Sequence, residues 1–246
     1  MEKTTLMRKT SLLFYFLILS NLLSAQNKVF EVYTDSSLLI KDNNALIADI
    51  ENRVKALDSA FSFKGLKTVT DNSPGGFFLG KQNFIHHATW NLEEKFIGQL
   101  ATEITQSNEK GKEFVGLFVH GFFLAHEIGH ALQFHTHNWK KENLYENEYQ
   151  ASEIALLYWK DKGKKKELKK CYKLAKLAVS KLENPFPENV DKEKYFTEHY
   201  NEFLQNPKKY AYVMFSQIVK VFEDKSLTNF DDFIKTRLLQ NKKTNR

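Results

Sequence analysis

Between residues 44 and 61 the apolar side chains Leu46, Ile47, Ile50, Val54 and Leu57 return at helical spacing, which predicts a helix with one buried stripe. Ser73-Pro74-Gly75-Gly76 then breaks the pattern. Phe77, Phe78 and Leu79, followed by Phe84 and Ile85 across Gly80-Lys81-Gln82-Asn83, predict a short β-hairpin. Over 113–134 apolar residues occupy nearly every side of a helical wheel, among them Phe114, Leu117, Phe118, Phe122, Phe123 and Leu124, so this helix belongs inside the fold. Periodicity predicts further helices over 145–158, 164–182, 192–204, 208–222 and 229–239, with Asn184-Pro185-Phe186-Pro187 interrupting two of them as a possible hinge because neither proline can donate a helical hydrogen bond. The expectation is an α+β, predominantly helical chain with a small sheet ahead of the apolar helix.

Composition narrows the class. The 246 residues, with 42% hydrophobic content, suffice for one sizeable core and leave little room for two. Arg8 and Lys9 precede the apolar run Leu12 to Leu23, and Leu23-Ser24-Ala25 offers small residues before Gln26. That order reads as an export signal over 1–25, cleaved after Ala25, with one domain over 26–246. The run is too short to span a bilayer, so membrane association is expected only if the segment is retained. A periplasmic or secreted location follows.

Net charge is +6. Its densest stretch, 160–173, alternates with Leu168 and Tyr172 as a solvated helix face does, so no nucleic-acid partner is expected. The single cysteine, Cys171, excludes an internal disulfide framework.

The chemistry is concentrated in His126-Glu127-Ile128-Gly129-His130. Histidines four apart on a helix project one turn apart from one face, so two imidazoles can share a tetrahedral zinc ion. Glu127, one step round, can reach a water in the open coordination position, whose pKa zinc lowers toward about 7, and it is the natural general base. A charged glutamate without a partner would be costly on so apolar a helix, which weighs against purely structural histidines. The off-face His120 reads as structural. His86 and His87, adjacent on the hairpin, point to opposite faces, so at most one can face a cleft, and a surface position is the simpler reading for each.

A catalytic zinc needs a third protein ligand. His135 is about 140° round the helix from His130, and His137 lies about 10 Å further along the axis, although a chain reversal could return it. Glu148 shares a helical face with Ala151, Ser152 and Ala155, a small-residue face suited to close packing. Gln133 and Thr136 stand where a metzincin has glycine and histidine, which excludes that class. A peptide deformylase takes its third ligand from an upstream cysteine, whereas Cys171 lies downstream.

The segment Glu148-Tyr149-Gln150-Ala151-Ser152, with the preceding His-Glu-x-x-His, resembles the paired helices of gluzincin-type metallopeptidases, over about residues 121–158 only. The resemblance implies a zincin-like fold, Glu148 as third zinc ligand, and a tyrosine or histidine that stabilises the oxyanion, for which Tyr210 and Tyr212 are the candidates. It implies a peptide or protein substrate cleaved through zinc-activated water. One departure stands out: the family's aspartate, which orients a ligand histidine, is matched by Ser152. His-Glu-Ile-Gly-His-Ala-Leu is also similar to regulatory metallopeptidases of the cytoplasm, against which the export signal argues. The alternative is a non-catalytic zincin-like binding domain with a structural metal or a partner in its cleft. The sequence leaves the oligomeric state open.

Overall fold

The computed structural model describes residues 29–239, so the leader expected over 1–25 lies outside the described part. Helix α1 (Ser36–Leu57) starts where the Asp35 side chain caps the backbone N–H groups of Ser37 and Leu38, and it buries Leu46, Ile47, Ile50 and Val54. It begins eight residues earlier than periodicity suggested, because the cap and not the apolar stripe sets a helix start.

The expected hairpin is present. Strand β2 (Gly76–Leu79) pairs antiparallel with β3 (Phe84–His87), in register Gly76 with His87 and Leu79 with Phe84. A third strand unforeseen in the sequence, β1 (Lys67–Val69), lies parallel on the other side of β3. The order β1-β3-β2 leaves β2 at an edge. At three residues, β1 is too short to carry a period-2 signal.

After α2 (Trp90–Glu93) and α3 (Ile97–Thr105) comes a single long helical run. It consists of α4 (Asn108–Leu117), a π-helical segment π1 (Phe118–Phe122) and α5 (Phe123–His135). Its length and composition would suit a membrane span, yet 94% of its most apolar 18-residue stretch is buried within the protein, as an interior helix should be. It ends at His135, and two residues on His137, with a φ of 60°, places the backbone in the left-handed region. Helix α6 (Leu144–Asp161) then returns antiparallel, capped by the Asn143 side chain on the N–H of Glu146.

Helix α7 (Lys165–Lys181) turns Leu168, Cys171, Ala175 and Ala178 inward and its lysines largely outward, which is the solvated face expected. The predicted helix over 192–204 is broken at His199 into α8 (Lys192–Glu198) and α9 (Tyr200–Leu204). Phe186, within the proline-rich interruption, is buried in a second apolar cluster with Tyr145, Phe196, Phe203 and Val213, so that segment is pinned and is not a free hinge. The chain continues through α10 (Pro207–Glu223), α11 (Phe230–Phe233) and the π-helical π2 (Ile234–Leu239).

Candidate metal centre

Two antiparallel helices build the centre. Gly129 on α5 faces Ala151 on α6 so closely that a Cβ at 129 would come within 3.1 Å of the Ala151 Cα. The small residues Ala151, Ser152 and Ala155, all fully buried, allow this approach. The eight-residue connection is tied down by Asn147, whose amide donates to the Lys140 carbonyl at 2.8 Å and accepts from the Lys140 N–H at 3.1 Å. This fixes one register, in which residue 148 stands opposite 130 and residue 152 opposite 126.

In that register Nε2 of His126 lies 3.1 Å, and Nε2 of His130 3.2 Å, from the same Glu148 oxygen, Oε2. All three side chains are buried and offer ligand atoms within 4.8 Å of one another. Ligands about 2.1 Å from a tetrahedral ion are separated by roughly 3.4 Å, slightly more than both observed spacings.

The second nitrogen of each ring is committed elsewhere. Gln133 donates its amide N–H groups to the Asn147 carbonyl at 2.9 Å and to Oε1 of Gln150 at 3.0 Å, so its oxygen must accept, and Nδ1–H of His130 donates to it at 2.9 Å. Nδ1 of His126 lies 3.2 Å from the Ser152 hydroxyl. These supports aim both Nε2 atoms at Glu148.

The other Glu148 oxygen, Oε1, accepts from two phenols, Tyr200 at 3.1 Å and Tyr210 at 3.2 Å. Tyr210 and Tyr212 both pack against the second apolar cluster, but Tyr212, two residues on and about 200° round α10, makes no hydrogen bond to Glu148. Of the two candidate tyrosines, Tyr210 alone reaches the centre. Sequence reasoning missed Tyr200 and Gln133. Neither has a signal at fixed spacing, since Tyr200 arrives from α9 and Gln133 looks like any polar residue near a helix end.

Charge is arranged to hold one cation. Burial disfavours charge on His130, yet the Glu148 carboxylate outweighs it and raises His130 to about 9. Burial would raise Glu148, but His130 and the hydrogen bonds from both histidines hold it well below the ordinary carboxylate range. Burial lowers His126 to about 4. Glu127, 7% exposed, is pushed up to about 8 by burial, with His130 pulling it down, Glu148 raising it, and the Phe78 backbone N–H also acting to lower it.

The remaining histidines are occupied elsewhere. His120 accepts from the Tyr33 N–H and donates from Nε2 to the Ala88 carbonyl at 2.8 Å, the structural role expected. His135 lies 2.9 Å from Oδ1 of Asn83, and His137 is exposed beyond the helix end. The surface reading of His86 and His87 fails, since both are fully buried. His86 stacks on Phe77 and pairs with Asp71, and the His87 ring fills the space a side chain at Gly76 would need.

His126, Glu127 and Tyr210 also line one end of a cavity of about 550 Å³. The centre is thus a buried three-ligand group, able to hold a metal ion, with a carboxylic acid next to it and an open space in front. No family model matches this chain, and no curated protein or solved structure is significantly similar to it.

Proposed function

We propose that this chain is a zinc-dependent hydrolase of peptide bonds, of the gluzincin type and with a zincin-like fold, working outside the cytoplasm. The observation that carries the reading is the convergence of His126, His130 and Glu148 through oriented Nε2 and Oε2 atoms, with Glu127 beside them at the cavity wall. Two imidazoles and one carboxylate are a nitrogen–oxygen donor set that suits zinc and leaves a position open. Zinc held there supplies Lewis acidity and brings the ionisation of water down to about pH 7.

The chain's own groups do the rest. Glu127, raised to about 8, is poised to move a proton near neutral pH, and a cation held by its neighbours would lower that value again. Its carboxylate takes the proton of the attacking water and delivers it to the leaving nitrogen as the carbon–nitrogen bond breaks, so that the water oxygen ends on the carbonyl carbon. Tyr210, lining the cavity, donates to the carbonyl oxygen as it gains charge by turning its single O–H away from Glu148, whose Oε1 keeps the Tyr200 phenol. Ser152 and Gln133 hold the two rings in place.

Elemental analysis of the purified protein should find one zinc per chain, and a peptide-library digest should show cleavage that a chelator stops. Protein that stays metal-free after zinc is supplied would sink the reading. Bound zinc with no cleavage across the library would move the chain to the non-catalytic alternative. Glu148→Ala should weaken zinc binding by orders of magnitude and His137→Ala should change it little. The opposite pair of results would replace Glu148 with a third histidine.

A further inference from the structure

The cavity in front of the centre is larger than one amino-acid side chain requires. Its wall along the long helix includes Phe114, Phe118, Phe123 and then Glu127, residues of one continuous helical run. From Phe114 to Glu127 there are thirteen rises of about 1.5 Å, slightly less through the π segment, so the helix along this wall runs about 18 Å. Leu100 and Ile104 of α3 close a second side, and Met214 and Phe215 of α10 a third.

Polar side chains are few in this lining. Among the described residues they are Lys95 and Gln99, which are exposed, and His126, Glu127 and Tyr210 at the catalytic end. A peptide threaded down the slot could pair with backbone only near Gly75 and Gly76, at the start of edge strand β2, and along the rest of the wall its backbone N–H and C=O groups would meet almost no polar side chain, which costs free energy. A chain without polar atoms meets no such penalty. An extended backbone advances about 3.5 Å over three bonds, so 18 Å matches on the order of fifteen carbon–carbon bonds. Phe96 and Leu204, each 51% exposed, extend the apolar surface to the opening.

We infer that the slot between α3, α4–π1–α5 and α10 binds a long unbranched aliphatic chain, so that the substrate is an N-acylated amino acid or peptide whose acyl group lies in the slot with its amide at Glu127. The assignment of an amide bond rests on the proposed hydrolase reading, whereas the binding of the chain does not. Hydrolysis adds water across the acyl C–N bond: hydroxyl to the carbonyl carbon, proton to the nitrogen, giving a fatty acid and a free amine.

Calorimetric titration of the full-length protein with N-hexanoyl-, N-octanoyl-, N-decanoyl- and N-dodecanoylglycine, each below its micelle concentration, tests the slot apart from catalysis. Affinity should rise roughly two- to fourfold per methylene. Ala211→Phe, which fills the lining, should weaken dodecanoylglycine at least tenfold while one zinc per chain is retained, and that zinc shows the variant has folded. Affinity independent of chain length, or undiminished in a zinc-binding Ala211→Phe, overturns the inference, as does a library digest in which bulky aromatic peptides are cleaved in preference to acylated ones. Chain-length-dependent binding by a protein that takes up no zinc would keep the slot and discard the hydrolase.

Discussion

At His130 the carboxylate opposite decides how the ring behaves. Glu148 lifts it to about 9, so near pH 7 the metal-free centre holds a proton where an ion would sit. Metal must displace that proton, and affinity should fall as pH drops below about 9, by about tenfold per unit while one proton is exchanged. Zinc titrations at pH 7 in buffers of different ionisation enthalpy should report release of about one proton, and none well above pH 9. Glu127→Gln keeps the shape and removes the base, so zinc should stay while turnover falls about 10²- to 10⁴-fold. Unchanged turnover would remove Glu127 from its role. Gln133→Ala frees a ring held by a short, directed hydrogen bond, and should cost about 10- to 100-fold in zinc affinity. Ser152→Ala, which removes a longer contact of 3.2 Å, should cost less in the same titration.

Helices α5 and α6 act as one element, and Gly129 sets their separation. A methyl group there meets backbone atoms of Ala151 at 3.1 and 3.2 Å, which cannot rotate aside as a side chain could. Gly129→Val should therefore cost about 1–3 kcal/mol or more in urea unfolding, and should weaken zinc beyond that loss, because Glu148 rides on the displaced helix. Wild-type zinc affinity in a destabilised Gly129→Val would show that the helix spacing does not set the ligand geometry. The third ligand is legible in part along the chain, because the small-residue face of 148–155 points to close packing. The register of the return is not legible there, since Asn147 sets it by bonding Lys140 in the connection.

Across the whole molecule, ionisable groups outside the centre tie stability to pH. Glu93 is fully buried, accepts from the Gly75 N–H at 2.6 Å, and is raised by burial to about 7. Between its ordinary value of 4.5 and 7 the folded chain keeps the proton that the unfolded chain has lost. Stability from this group is therefore greatest at low pH and falls as pH rises through that window, by about 3 kcal/mol in all. Glu153, 8% exposed and also raised by burial to about 7, adds in the same direction. Glu93→Gln should be more stable than the natural chain at pH 8 and no more stable at pH 4, as chemical denaturation at the two values would reveal. Equal effects at both would mean Glu93 does not change its charge state on folding in this range.

Local pattern determined the long buried helix, the hairpin, the amphipathic α7 and the pair His126 and His130, because each is a periodicity carried by residues within a few turns of one another. Local pattern also marked Glu127, whose place beside two histidines on one helix does not depend on the rest of the chain. Only the tertiary structure decided the remainder. It chose Tyr210 over Tyr212, since which side of α10 faces the centre depends on what packs against the other side. It brought in Tyr200 and Gln133, added β1, and placed His86 and His87 in the interior. It also made the apolar slot, whose walls come from helices far apart in sequence. Such contacts join residues tens of positions distant, and their partners are set by packing in three dimensions, which no window along the chain contains.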